Sequence, residues 1–255
     1  MFTGVLNRTL LKKNVSVQEV VSEGEYRCIA LAGFLAELAT APVKSALVFD
    51  DPVSSLDHRW REAVASRLVE EAKDRQVIVF THDLVFLLLL VEQCEFANIQ
   101  PTQTHLLRTS SGTGEAQNGP PWLAAKVKDR VGILKSSLAQ AEKPFKETDP
   151  TIYESFARDV YGRLRETWER AVEELLLNDS VRRFRRSIET NRLAKLADIK
   201  SEDIEFIEAA MTKCSKCLRG HDKSIAINEP VPDPTELKAD IDSLENWVSG
   251  MRKRR

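Results

Sequence analysis

Two short apolar runs, each ending in carboxylates, constrain this chain more than any other feature. Ser45-Ala-Leu-Val-Phe49 runs into Asp50-Asp51-Pro52, and Gln76-Val-Ile-Val-Phe80 runs into Thr81-His82-Asp83. Runs that are apolar at every position read as parallel strands covered on both faces. Between them residues 57–73 are amphipathic, which predicts a crossover helix and hence a strand–helix–strand unit. Upstream, Cys28, Leu31, Ala32, Leu35 and Leu38 recur at the spacing of one helical face, predicting a helix over 23–38. Leu84 to Cys94 reads as the next helix and Gln103 to Thr109 as a third strand. The expected fold class for this part is α/β.

The segment 110–121 (SSGTGEAQNGPP) is rich in Gly, Ser and Pro and reads as a linker. Beyond it only helical periodicities appear, over 122–143, 151–177, 180–196, 201–217 and 234–252. Pro234 suits a first helical turn. The expected organisation is therefore an α/β lobe at 1–109, a linker at 110–121 and an all-α domain at 122–255.

Composition narrows the function classes. Across 255 residues, 37 Lys and Arg face 39 Asp and Glu for a net charge of −2, so the surface as a whole is no nucleic-acid magnet. The longest apolar run, Leu84 to Val91, is far short of the roughly 20 residues of a membrane-spanning helix. The N-terminal MFTGVLNRTLLKKNVS lacks the pattern of a secretory signal, so a cytoplasmic protein is expected, with Cys28, Cys94, Cys214 and Cys217 reduced.

Three motifs carry chemistry, in fixed order. Val21-Ser22-Glu23-Gly24-Glu25 stands at a helix start, where backbone N–H groups and the helix dipole suit a phosphate. Leu47-Val48-Phe49-Asp50-Asp51 places carboxylates at a strand tip, where α/β proteins put ligands. Asp50 is suited to Mg²⁺, a cation that prefers oxygen ligands, and Asp51 to orienting a water. Val79-Phe80-Thr81-His82-Asp83 places a histidine at the neighbouring tip, within reach of a γ-phosphate or its attacking water. Each alone has a plain structural reading: Ser22 and Asp57 as helix caps, Asp50-Asp51 as a solvated turn, His82 as a strand-end hydrogen bonder.

Taken together, the motifs resemble the C-terminal lobe of an ABC-type ATPase head, of the SMC and RecF-like kind. Residues 21–25 resemble its signature motif, 47–51 its Walker B strand, 54–57 its D-loop and 81–83 its switch-histidine loop. The wording of 20–95 is similar to bacterial coiled-coil ATPases, some of whose relatives are linked with phage defence and anticodon nucleases. The resemblance implies ATP and Mg²⁺ as cofactors. It also implies contacts to the nucleotide from Ser22, Gly24, Glu25, Ser55 and Asp57, the metal on Asp50, and catalytic roles for Asp51 and His82. Two positions depart from the pattern: Glu23 replaces the second signature glycine, and Asp51 replaces the catalytic glutamate, one methylene shorter. No G-x-x-x-x-G-K-S/T occurs, and that loop supplies the amide cradle and lysine for the phosphates. The resemblance then implies a P-loop-bearing lobe or subunit as partner, a dimer of heads, and a chain equivalent to the back half of such a protein. DNA repair, chromosome maintenance and phage defence are the implied settings. A non-hydrolysing regulatory module is the alternative.

In the helical half, Arg165 and Glu169 stand at i and i+4, ordinarily a surface ion pair. With His221 they are similar to the Arg-x-x-x-Glu…His set of anticodon nucleases, which implies a ribonuclease effector as a further alternative. Arg182, Arg185 and Arg186 are expected to share a helical face and could neutralise phosphates of a nucleic acid. Cys214-Ser-Lys-Cys217 with His221 offers zinc-like spacing but no fourth ligand, so buried thiols are the simpler expectation.

Overall fold

The computed structural model describes residues 20–110, 112–147, 150–185, 187–218 and 231–255. It divides into two compact units, Met1–Ala124 and Ala125–Arg255. The architecture is mixed α/β and mostly helical, with a small parallel sheet in the first unit and only helices in the second.

In the first unit, α1 (Glu23–Thr40) starts at Ser22, whose hydroxyl accepts from the Glu25 amide while the Glu25 carboxylate accepts from the Ser22 amide. This reciprocal cap satisfies two otherwise orphaned donors. Strand β1 (Leu47–Asp50) pairs in parallel with β2 (Val77–Phe80), in the register Leu47 to Val77 through Asp50 to Phe80. Helix α2 (His58–Glu71) makes the crossover with Asp57 as N-cap, and α3 (Leu84–Phe96) follows β2 with Asp83 as N-cap. Cys28, Leu35, Leu47, Phe49, Val53, Leu56, Val64, Leu68, Phe86 and Leu89 form one core, joined at its edge by Val77 and Val79.

The two strands are not buried on both faces, contrary to their all-apolar sequence. Leu47 and Phe49 face the helices, whereas Val48, Ile78 and Phe80 are 62%, 38% and 52% exposed on the other face. Side chains alternate across a strand, so helices packed on one side leave the second face uncovered. The edge between 103 and 119 also departs from expectation. Thr104–Thr109 (β3) pairs antiparallel with Gly112–Asn118 (β4) in a separate two-stranded sheet, not with β1 or β2. Most of the expected linker is thus a strand. Its Gly-rich, polar composition hid this because every residue of β4 is exposed and is held by backbone pairing, with no buried side chain to set an alternation. Gly112 and Gly114 take φ of 150° and 93°, values that disfavour other residues.

The second unit packs α4 (Val127–Glu147), α5 (Pro150–Ala171), α6 (Ser201–Cys217) and α7 (Pro234–Arg254), the last with Pro234 in its first turn after the Asp233 cap. Trp168 anchors it, fully buried with its ring centroid 5.5 Å from that of Trp247 and 5.9 Å from that of Phe206. The Tyr161 hydroxyl donates to Asp240 at 2.7 Å, and burial pushes that phenol's pKa strongly upward. Residues 180–196 do not form the expected helix. Helix α5 passes into a π-helical turn at Val172–Leu176, the chain then turns through 178–185, and a 3₁₀ helix covers Thr190–Asp198. The polar side chains there satisfy turn carbonyls and one another: Asn178 Nδ2 donates to the Arg192 carbonyl at 3.2 Å, and Arg182 pairs with Asp179 at 3.1 Å. Among the described residues no helix is long and apolar enough to cross a membrane.

Phe86 carries the first unit's core with no exposed surface. Phe86→Ala should lower unfolding stability by about 3–5 kcal/mol, read from urea denaturation, because a large cavity opens under all three helices.

Candidate functional site

The register of β1 on β2 brings the two strand tips side by side. The Asp51 amide donates to the Phe80 carbonyl at 2.8 Å, extending the ladder one step past Asp50. From there the chain leaves β1 through Asp51 in a left-handed conformation, φ 44°, which a short polar side chain tolerates better than most. That turn sends the Asp51 carboxylate across to the β2 tip. Its Oδ1 accepts from Thr81 Oγ1 at 3.2 Å, and its Oδ2 lies 3.1 Å from His82 Nδ1. The Thr81 hydroxyl in turn accepts from the Asp83 amide at 3.0 Å, which fixes the loop. His82 itself remains 84% exposed, with Nε2 left for a ligand or water.

Asp50 lies beside this group, exposed, and its side chain makes no hydrogen bond among the described residues. No group of three or more His, Cys, Asp or Glu residues among the described residues could hold a metal unaided. One carboxylate with open coordination fits Mg²⁺ bound together with phosphate oxygens and water, which is how that ion is commonly held.

The loop from Asp51 to Asp57 connects this corner with the start of α1. Val53 and Leu56 bury their side chains completely or nearly so and anchor the loop to the core. Ser55, at φ 66°, presents its carbonyl to Gly24. A Cβ at position 24 would stand 2.8 Å from the Ser55 carbonyl oxygen, so only glycine permits this approach. Arg27, one turn further along α1, donates to the Ser54 hydroxyl and is also paired with Glu23 at 2.8 Å. The segments 21–25, 54–57, 50–51 and 81–83 therefore form one contiguous rim at the carboxyl ends of the parallel strands.

Several of these side chains are held by their own helices. The Glu25 carboxylate accepts from both the amide and the hydroxyl of Ser22 at 2.9 Å, and these bonds hold its pKa below the usual carboxylate value. Asp57 accepts from the Arg59 and Trp60 amides at 3.0 and 3.1 Å as an N-cap. The sequence singles out no role for Arg27, and it marks Ser54 and Thr81 only as members of the segments 54–57 and 81–83. Thr81 was visible only as a neighbour of His82, and the reach of Arg27 to Ser54 spans 27 residues with no local signal.

The remaining candidates lie in the second unit. Glu169 accepts from Arg165 at 3.0 Å and from Arg183 at 3.0 Å, so it is an ion-paired bridge between α5 and the following turn. His221 and Arg186 lie outside the described residues. Arg182 pairs with Asp179 at 3.1 Å and Arg185 with Glu189. These arginines do not share a helical face, because the segment is a turn and its acids draw each guanidinium to a separate partner. Cys214 and Cys217 are buried, and burial pushes the Cys214 thiol up to about 12.

Acidic side chains and a histidine gather where the parallel strands end, the place where α/β proteins bind ligands. The chain belongs to the AAA domain family AAA_13, whose model matches residues 7–148, more than half of its 255 residues. Membership carries an ATPase-type, nucleotide-binding character. No curated protein and no solved structure matches the chain.

Two expectations follow from the rim. Gly24→Ala should destabilise the first unit by about 1–3 kcal/mol in chemical denaturation, since the new methyl meets a backbone carbonyl. Gly33→Ala, in the same helix with open space around it, should instead stabilise by about 0.5–1 kcal/mol. The second concerns acid. Because the folded pKa of Glu25 lies below its ordinary 4.5, its contribution is present above that value and lost as pH falls through the folded one. The melting-temperature gap between wild type and Glu25→Gln should therefore be open at neutral pH and close in acid.

Proposed function

We propose that the chain is one lobe of an ATP-hydrolysing head of the SMC and RecF-like ABC type, completed by a P-loop contributed by another segment or subunit. The observation that carries this reading is the bond pattern at the strand tips, with both oxygens of Asp51 engaged by Thr81 and His82 next to an open Asp50. In this reading Asp50 holds Mg²⁺, which when bound neutralises phosphate charge. Asp51 orients the attacking water and accepts its proton, while His82 hydrogen-bonds the γ-phosphate or that water through its exposed ring edge. The Asp51–His82 contact aligns the two groups before any substrate arrives, which is where most of the rate gain in phosphoryl transfer resides.

Ser22, Glu25, Ser55 and Asp57 are exposed along the same rim, with Gly24 buried against the Ser55 carbonyl between them, and the reading gives this segment set to the ATP of a second head. The helix N-terminus at Ser22 supplies amide donors and a positive dipole end for phosphate oxygens. For Ser22 to take part, its hydroxyl must leave the Glu25 carboxylate, so engagement of a nucleotide and opening of the reciprocal cap are linked. The uncovered face of Val48, Ile78 and Phe80 supports a partner lobe, because exposed apolar strand surface next to a site is a docking feature. A cytoplasmic setting and roles in DNA repair, chromosome maintenance or phage defence go with this reading.

The test is reconstitution. Mixed with a P-loop-bearing lobe, the wild-type chain should support ATP turnover, and Asp51→Asn should reduce kcat by about a hundredfold or more, with His82→Ala also strongly impaired. Turnover unaffected by Asp51→Asn would remove the carboxylate from the mechanism. Stable ATP-dependent association without turnover would favour the regulatory alternative.

A further inference from the structure

Arg61 stands in the first turn of α2 and reaches both loops of the rim. Its Nε donates to the Leu56 carbonyl at 3.0 Å, at the point where the 54–57 loop enters the helix. Its other arm ends 2.6 Å from Asp83 Oδ2, directly after His82. The two side chains are only 26% and 18% exposed, so the pair is partly desolvated and stronger than a surface ion pair. Asp83 has a second duty: its Oδ1 accepts from the Phe86 amide at 2.9 Å and caps α3. One carboxylate is thus shared between a helix it starts and an arginine of α2 that also holds the 54–57 loop.

The connections run in series. Gly24 rests on the Ser55 carbonyl, the next residue Leu56 gives its carbonyl to Arg61, Arg61 holds Asp83, and Asp83 hydrogen-bonds Thr81 through its amide. Thr81 and His82 both meet Asp51. The planar guanidinium fork is what allows a single residue to serve a carbonyl and a carboxylate at once, which a lysine cannot do in the same geometry.

From this geometry we infer that Arg61 is a positioning residue, setting the His82–Asp51 contact according to the position of the 54–57 loop. The inference rests on the ATPase reading for its consequence and on the geometry alone for its mechanism. Movement of the loop against Gly24, as a partner head engages that rim, is transmitted through the guanidinium to Asp83 and hence to the histidine. Arg61 touches neither nucleotide nor the reacting atoms.

The test has two parts. In the isolated chain, the imidazole carbon–proton NMR signals of His82 are compared before and after Asp51→Asn, in wild type and in Arg61→Met. Wild type should show a clear perturbation, and the Arg61→Met background less than about half of it, because the histidine is no longer held against the carboxylate. Equal perturbation in both folded backgrounds would overturn the inference, and Arg61→Lys, which keeps the charge, should not restore the response. Should Arg61→Met fail to fold, Asp83→Asn is measured in the same way; it keeps an oxygen to cap the Phe86 amide and loses the ion pair, and the same two outcomes decide. In the second part, with the P-loop-bearing lobe supplied, Arg61→Met should lower kcat about tenfold with KM unchanged. A rise in KM at constant kcat would contradict the positioning role. Absence of any wild-type turnover would instead count against the ATPase reading, while the NMR comparison would still decide the role of Arg61.

Discussion

Parallel pairing of Leu47–Asp50 with Val77–Phe80 is the constraint on which the rest of the site depends. A shift of one residue would turn Leu47 and Phe49 out of the core and move Asp51 away from Thr81 and His82. The register is set by burial, since Leu47, Phe49, Val77 and Val79 pack on the helices. It is then continued by the Asp51 amide to the Phe80 carbonyl. The apolar pattern that drives folding therefore also sets the contacts of Asp51 with Thr81 and His82.

Helix caps link that sheet to the rim. Ser22, Asp57 and Asp83 each start a helix, and each lies in one of the three loops that form the rim. Capping and ligand contact are two uses of the same geometry, because a helix start offers unpaired amides to an internal carboxylate or an incoming phosphate alike. The Ser22–Glu25 pair shows the internal use. Gly24 adds the close approach to Ser55 that joins the first helix to the loop after β1.

The second unit offers no comparable convergence among the described residues. Glu169 bridges Arg165 and Arg183, and Arg182 holds Asp179. An i, i+4 pair read from sequence proved to be an ion pair, while 182–185, where a basic helical face was expected, is a turn. Arg182 and Arg185 pair with acids of the same segment, whereas Arg183 pairs with Glu169 of α5, a partner that local periodicity does not reveal.

The sequence by itself determined the elements with strong local signals. These include the two strands, the helices over 23–40, 58–71, 84–96, 201–217 and 234–254, and the caps Ser22 and Asp57. Apolar spacing and cap chemistry act over a few residues, so they are legible without the fold. The tertiary structure alone decided which strand face is covered, that 112–118 pairs back onto 104–109, and that 180–189 turns. It also decided that Arg61 joins Leu56 to Asp83 and that Asp51 reaches Thr81 and His82. The reason is physical: these depend on contacts between residues far apart in the chain, whose partners are chosen by packing and backbone hydrogen bonding and leave no periodic trace.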